Sequence, residues 1–483
     1  MAAFLLAVYA FHQGTLLVLY MCRSRLGHWS AHAAQRNDAQ VPAVTVQIPL
    51  FNERLVAERV IHALVELDYP RDRLHVQILD DSTDETVHIV QHAVACAASA
   101  GLSIELLHRD NRIGYKAGAL AAGLLQTQNE FIAMFDADFV PPPDFLRRLM
   151  LTRGVFNDPQ VGFVQTRWGY LNRDQNAATR AQAMMLDMHF MVEQPARNSS
   201  GLLMSFNGSG GIWRRKCIED AGGWQHDTLT EDLDLCYRAQ LQGWRGVYLA
   251  DEVSPGELPP NVLAFKRQQA RWSRGTLQCV RKLMPQVLRA KLSLPQKVAA
   301  WMHLSGYMIH PLILLMAITT PLLLIRSLFG DPTARLPLWL NYFSVVSLAP
   351  IIAMWVGARA HGRSAAQFMR DLPATLLLGI GVAFSNTMAM AAALLVRGSG
   401  EFLRTPKTAS TNQIPPIRAA KHIPYTTRPN WTMWIELGLA VYGLLATLLL
   451  LNMGYWWSVI PTLLYACGFG IVAMSQLLAR WID

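Results

Sequence analysis

Apolar and polar residues are distributed along this chain on two scales. Long apolar runs sit toward its ends, at residues 1–22, 301–325, 337–357, 373–396, 432–452 and 455–479. A helix of about 20 apolar residues crosses a bilayer, so each run is long enough to be a candidate span. Between them, roughly 23–297, apolar stretches are short and broken by polar turns, the pattern of a region that buries its own core.

Within that middle region the period switches repeatedly. AVTVQIPLFNE (43–53), RLHVQILDDSTDET (73–86), LSIELLHRD (102–110) and NEFIAMFDADFVPPPDFL (129–146) read as strands. The amphipathic stretch 54–67, the stretch 87–100 and the glycine-bearing RIGYKAGALAAGLLQ (112–126) read as helices between them. Strands alternating with helices predict a parallel sheet with both faces covered. Ligands bind such sheets at the carboxyl ends of the strands. Glu53, Asp80, Asp81, Asp136 and Asp138 recur at those ends.

Composition narrows the class. The chain has 483 residues, 52% hydrophobic and 16% charged. That is too apolar for one soluble domain and too charged for a pure membrane bundle. The net charge of +9 does not point to nucleic acid, because the basic residues sit largely beside the apolar runs. The six cysteines form no CxxC pair, which argues against a zinc site and against disulfides and fits a reduced cytoplasmic compartment.

Charge also orients the runs. Residues 1–22 lack a basic leader and a small-residue cleavage site, so they read as a membrane helix rather than a secretory signal. Arg23 and Arg25 put the chain from residue 23 onward on the cytoplasmic side, with the N-terminus outside. Mid-span His12 and Gln13 are expected to hydrogen-bond between helices. Arg359, Arg363 and Arg370 come after 337–357, as an inward-facing end requires. If 373–396 also spanned, the next loop, with Arg397, Arg404, Lys407, Arg418, Lys421 and Arg428 against Glu401, would lie outside. Five spans plus one interfacial or re-entrant segment remove that conflict and leave the C-terminus cytoplasmic. The expected boundaries are a membrane helix at 1–22, a cytosolic α/β domain at 23–260 and amphipathic interfacial helices at 261–298. Two spans at 299–358, the re-entrant segment with its cytosolic loop at 359–430, and two spans at 431–483 complete the chain.

Four motifs carry chemistry. In FDADF, Asp136 and Asp138 offer hard oxygen ligands that suit Mg2+ or Mn2+ beside a phosphate. Lys116, in GYKAG, adds a positive charge for phosphate. TLTEDLDLCYRAQLQGW (228–244) opens a helix, with Thr230 as N-cap and Glu231 and Asp232 in the first turn. Asp232 is the candidate base for an acceptor hydroxyl, while Asp234 serves packing or polar support. In FKRQQARWSRG (265–275), Gln268, Arg271 and Trp272 share a helix face. Arg271 suits phosphate there, and Trp272 a sugar ring.

Asp81, then Asp136-Ala-Asp138, then Thr230-Glu231-Asp232, then Gln268-x-x-Arg271-Trp272 occur in that order. The combination resembles the membrane-bound family 2 glycosyltransferases that build β-linked polysaccharides, of the cellulose synthase superfamily. FVQTRWGYLN, HFMVEQPARNSSGLLMSFNGSGGIWR, AGGW and YLADEVSPGELP look closest to the mannan and glucomannan synthases. The resemblance implies a GT-A (Rossmann-like) cytosolic domain joined to a helical transmembrane bundle with interfacial helices.

It also implies roles. Glu53 and Asp81 would bind the nucleotide, Asp136 and Asp138 the diphosphate and its Mg2+ or Mn2+, and Asp232 would be the base. Gln268, Arg271 and Trp272 would meet diphosphate and acceptor, with Asn207 and Gly208 of FNGSGG in the acceptor wall. Phe402, Thr405 and Lys407 match a cytosolic gating loop that reads FxVTxK, with Arg404 in place of valine. No regulatory cyclic-nucleotide domain is expected. The implied reaction is a single inverting displacement from GDP-mannose or UDP-glucose onto a growing β-glycan that is carried across the membrane. The implied partners are the donor, the glycan, the bilayer and export proteins of periplasm or cell wall. Single transfer to a membrane lipid, as by ceramide glucosyltransferases, and a non-catalytic nucleotide-sugar transporter or sensor remain the alternatives.

Overall fold

The alternation expected over residues 43–146 is present in the structure, a computed structural model that describes residues 1–23, 41–328, 348–395, 400, 405, 407 and 431–482. Strands β1 (Val44–Leu50), β2 (Leu74–Asp80), β3 (Ile104–His108) and β4 (Phe131–Met134) run parallel, in the order β3-β2-β1-β4. Val44, Val46 and Ile48 of β1 enter one apolar layer, with Val76 and Ile78 of β2. The alternate residues Thr45 and Gln47 face the other side. There the Thr45 hydroxyl pairs with that of Thr127 at 2.7 Å, and the Gln47 amide donates to Gln77 Oε1 at 2.9 Å.

Three further strands, absent from the sequence reading, complete a seven-stranded sheet ordered β3-β2-β1-β4-β6-β5-β7. They are β5 (Val161–Tyr170), β6 (Gly211–Arg214) and β7 (Arg245–Gly256). The expected all-parallel sheet is corrected here: β6 is antiparallel to both β4 and β5, so the sheet is mixed. The reason is local. Gly211 pairs with Met134 and Arg214 with Phe131. The chain therefore enters β6 at the carboxyl end of β4, and the preceding FNGSG loop lies beside FDAD. Leu79, Ile132, Met134, Phe163 and Trp213 form the apolar layer on the second face. The architecture is an α/β domain joined to a helical bundle, the general class expected.

Among the described residues, five helices are long and apolar enough to cross a membrane: Ala2–Arg23, Gly306–Leu323, Ala365–Leu395, Thr432–Asn452 and Val459–Ala479. This set differs from the expected one. Much of 337–357 lies outside the described residues, and its C-terminal part belongs to the shorter helix Ala349–Ala360. The segment expected to lie flat has spanning length, but it is broken at Val382 into Ala365–Gly381 and Ala383–Leu395. Its first half packs on helix Ala177–Met188 of the α/β domain, where Arg180 pairs with Asp371 at 2.8 Å. The long helix Val262–Arg289 is tied to the C-terminal pair of helices. Lys266 meets Glu436 at 2.7 Å, and Gln476 donates to the same carboxylate at 2.7 Å.

Candidate active site

The carboxyl end of the sheet gathers the acidic residues, as the strand pattern predicted. Asp81, directly after β2, accepts two hydrogen bonds from the Arg109 guanidinium, at 2.7 Å and 2.5 Å. Arg109 also donates to the Ile113 and Tyr115 carbonyls. It therefore joins the Asp81 carboxylate to the loop that presents Lys116. Tyr115 itself has a positive φ of 50°, a conformation uncommon outside glycine that bends the chain into the helix Tyr115–Gln126.

Lys116 reaches across to the FDAD and FNGSG loops. Its Nζ lies 2.5 Å from Asp136 Oδ1, donates to the Gly208 carbonyl at 2.9 Å and lies 3.7 Å from Glu231. Burial opposes its charge, but Asp136, Glu231 and Asp232 outweigh burial and raise the ammonium pKa. Asp232 stands in the first turn of helix Glu231–Leu241, where Leu233 N–H donates to its Oδ1 at 2.8 Å. Burial and the neighbouring Glu231 push its carboxyl up to about 7, against the pull of Lys116. A carboxylate near neutrality is suited to take a proton. Gly208 explains the room around it. Its φ is +80°, and a Cβ there would fall 2.7 Å from Asp232 Oδ2.

The helix Val262–Arg289 closes the site from the membrane side. Gln268, Arg271 and Trp272 all line the cavity, as their shared face predicted. Burial lowers the Arg271 pKa, while Glu231, Asp136, Asp232 and Asp138 oppose that shift. The guanidinium thus faces the acidic cluster. Gly275 permits this approach, because a Cβ there would fall 2.7 Å from the Thr230 side chain. Thr230 is at the N-cap as expected, but its hydroxyl does not cap the helix. It pairs with Cys279 Sγ at 3.3 Å, drawn off by the crossing helix. Asp234 is fully buried between Arg238 and Lys282, the supporting role that its position implied.

Thr405 and Lys407 of the basic loop also reach the cavity, and Phe402 lies outside the described residues. Lys407 Nζ sits 2.6 Å from Asp138 Oδ2 and donates to the Glu257 carbonyl at 2.5 Å. Asp136 and Asp138 therefore present hard oxygen donors to the cavity, each balanced by one ammonium. Among the described residues no cluster of three metal-ligating side chains occurs. The pair fits a divalent cation whose remaining ligands come from a phosphate.

One continuous cavity of about 850 Å³ joins these residues. At one end lie Glu53, Asp81, Arg112 and Lys116, in the middle Asp136, Asp138, Asn207, Gly208, Thr230, Glu231 and Asp232. Its far end runs between the bundle helices, past Tyr9, Ile309, Ile313, Pro350 and Leu376. His12 makes the expected hydrogen bond between helices, with helix Gln194–Ser199 as its partner. It and Gln13 line the cavity, and His12 Nε2 lies 3.4 Å from the Arg197 guanidinium of the α/β domain. Arg109, Arg112 and the segment His189–Arg197 were missed. The HRD turn that directly ends a strand was the available signal for Arg109.

A family model described as Glycosyltransferase like family 2 matches residues 42–275. Glucomannan 4-beta-mannosyltransferase 2 of Arabidopsis thaliana is 45% identical over 264 residues, which is 54% of this chain and 48% of that protein. Glucomannan 4-beta-mannosyltransferase 1 of Oryza sativa subsp. japonica is 40% identical over 309 residues, 62% of this chain and 58% of that protein. The chain spans about half the length of the curated relatives it matches. Among solved structures, a mannosyltransferase of Pyrobaculum calidifontis in complex with GDP-Man and Mn2+ has 22% identity and a TM-score of 0.48. That match covers 73% of this chain and 98% of the other.

Proposed function

On the premise that residues 42–275 form a glycosyltransferase family 2 domain, we propose that the protein extends a β-linked mannan or glucomannan chain from a nucleotide sugar at a membrane. The observation that carries this reading is the meeting, in one cavity, of the Asp136–Asp138 pair, Asp232 and the Gln268–Arg271–Trp272 face. GDP-mannose is the favoured donor, in keeping with the mannosyltransferase relatives, and UDP-glucose is its competitor.

In the proposed reaction Asp232 takes the proton of an acceptor hydroxyl. The freed oxygen pair forms the new bond to the anomeric carbon. The bond from that carbon to the diphosphate oxygen breaks, and its electron pair leaves with the nucleoside diphosphate. One displacement inverts the anomeric centre, so an α-linked donor yields a β-glycoside. Lys116 and Arg271 balance the charge of the leaving group. A divalent cation, Mg2+ or Mn2+, held by Asp136 and Asp138 would supply further neutralisation of the diphosphate. Trp272 offers an aromatic face to the acceptor sugar, and Asn207 and Gly208 shape its wall. Glu53 and Asp81 line the nucleotide end. Lys407, with Thr405, sits over Asp138 and would yield it when the donor arrives.

The reading puts the α/β domain on the cytoplasmic side, with the cavity between the bundle helices as the exit for the chain. Labelling a Ser410→Cys variant from each side of a sealed membrane tests that orientation, and access from the outside alone would reject it. Domain limits of 23–260 and 261–298 belong to the same proposal. The apolar residues at the cavity's far end support a second reading, single transfer to a membrane lipid. A panel of labelled nucleotide sugars with the full chain, followed by linkage and length analysis of the product, separates the two. A β-mannosyl polymer is expected. A single glycosylated lipid supports the second reading, and no transfer from any donor rejects both.

A further inference from the structure

The cavity wall beyond Gly208 carries buried charge that the transfer step does not use. Asn207 Nδ2 lies 3.1 Å from His189 Nε2, and His189 Nδ1 lies 3.0 Å from Glu193 Oε2. Arg197 Nε donates to Glu193 Oε1 at 2.9 Å, and the same guanidinium lies 3.4 Å from His12 Nε2. All five side chains line the cavity. They form one hydrogen-bonded string that starts beside Gly208 and ends on the N-terminal membrane helix.

The backbone is shaped to aim them. His189–Glu193 is a wide π turn set between the helices Ala177–Met188 and Gln194–Ser199, and such turns recur at functional sites. From His189 to Arg197 is eight residues, or about 12 Å at a rise of about 1.5 Å each. That is longer than one sugar ring, and it leads away from Asp232 toward the membrane. Burial opposes ionisation of Glu193, but Arg197 and His189 hold its carboxyl well below the usual range. A buried ion pair adds little net stability. The charges cancel along the string, which suits a neutral ligand rich in hydroxyls. Trp168, Phe190 and Tyr307 line the same cavity and supply flat apolar faces between the polar groups, the mixture that a sugar ring requires.

We propose that this string binds the second and third sugar units of the acceptor glycan, so that the protein prefers acceptors of three or more units. The inference rests on the transfer reading and names the part of its acceptor that does not react. Glu193 accepts hydroxyl protons, and Arg197 and Asn207 donate to hydroxyl oxygens.

The test uses the full chain in lipid nanodiscs with β-1,4-manno-oligosaccharides of two to six units. Equilibrium binding is read by tryptophan fluorescence, and transfer by incorporation of labelled nucleotide sugar. Wild-type protein is expected to bind the tetrasaccharide about tenfold more tightly than the disaccharide, the scale of one or two hydrogen bonds to charged groups. Glu193→Gln and, independently, His189→Asn bring that ratio close to one, while GDP binding reports that each variant is folded. An equal loss for every acceptor length overturns the proposal, because a purely structural role acts that way. So does a variant that keeps the wild-type ratio. Length-dependent binding without any transfer supports the string and sinks the reaction. Transfer without length preference in the wild type does the reverse.

Discussion

At the sheet end of the cavity three aspartates are each held by a cation from another segment of the chain. Asp81 meets Arg109, Asp136 meets Lys116 at 2.5 Å, and Asp138 meets Lys407 at 2.6 Å. At the membrane end Glu193, Arg197 and His189 hold one another along a single helical segment. The first arrangement can be divided. In the proposed reaction its cations would turn to a diphosphate and its carboxylates to a metal, with little change in net charge. The second stays closed and neutral, and offers hydrogen bonds without a charge to exchange. On the proposed reading the pairing of charges would match the ligand: ionic at one end, uncharged at the other.

The comparison breaks most sharply at Asp232, between the two ends. Asp232→Asn should lower turnover by about 10³-fold, within the range for loss of a general base, with GDP affinity within about twofold of wild type. A normal turnover number would remove Asp232 from its role. Gly208→Ala is expected to come next. The new methyl lands 2.7 Å from Asp232 Oδ2 at a φ of +80°, and a misplaced reacting group costs on the order of 100-fold in kcat. Intact GDP binding in this variant would localise the damage to the acceptor side.

Arg109→Ala frees Asp81 and the Lys116 loop together. Calorimetry should show GDP affinity weaker by about tenfold, as for loss of a charge-assisted hydrogen-bond pair, while the acceptor-length preference is kept. If that preference fell instead, the two ends would not be separable.

The mildest perturbation is pH. With its carboxyl pushed up to about 7, Asp232 becomes protonated as the pH falls through that value. The kcat/KM profile should therefore fall on the acid side, by about tenfold per pH unit well below it. Stability runs the other way at this residue. Its folded-state pKa is raised, so its stabilising share is full in acid and is lost as pH rises through about 7. A flat kcat/KM between pH 5 and 8 would contradict the first statement, and an unfolding free energy that does not fall as pH rises toward 7 in the wild type relative to Asp232→Asn would contradict the second.

Much of the donor end was legible in the sequence because its carboxylates come directly after strands. A strand's period and its end are local features, so Asp81, Asp136 and Asp138 could be assigned to one sheet edge before the sheet was seen. Gln268, Arg271 and Trp272 were placed by helical spacing alone. The membrane end was not legible by the same means. His12 lies near the N-terminus and Arg197 far along the chain, and nothing local links them. The antiparallel β6 escaped for a related reason. Four residues, three of them buried, are too few to show a period, and their direction depends on where the preceding loop delivers the chain.

By itself, then, the sequence determined the apolar runs, the first four strands and the chemical types that converge on the site, since these arise from short-range pattern and charge. Tertiary structure decided which cation neutralises which acid. It gave His12 its partner on the α/β domain and a place in the cavity wall, and drew the Thr230 hydroxyl to Cys279. It also set Asp232 near neutrality, because burial and the approach of Glu231 and Lys116 exist only once the loops are packed together.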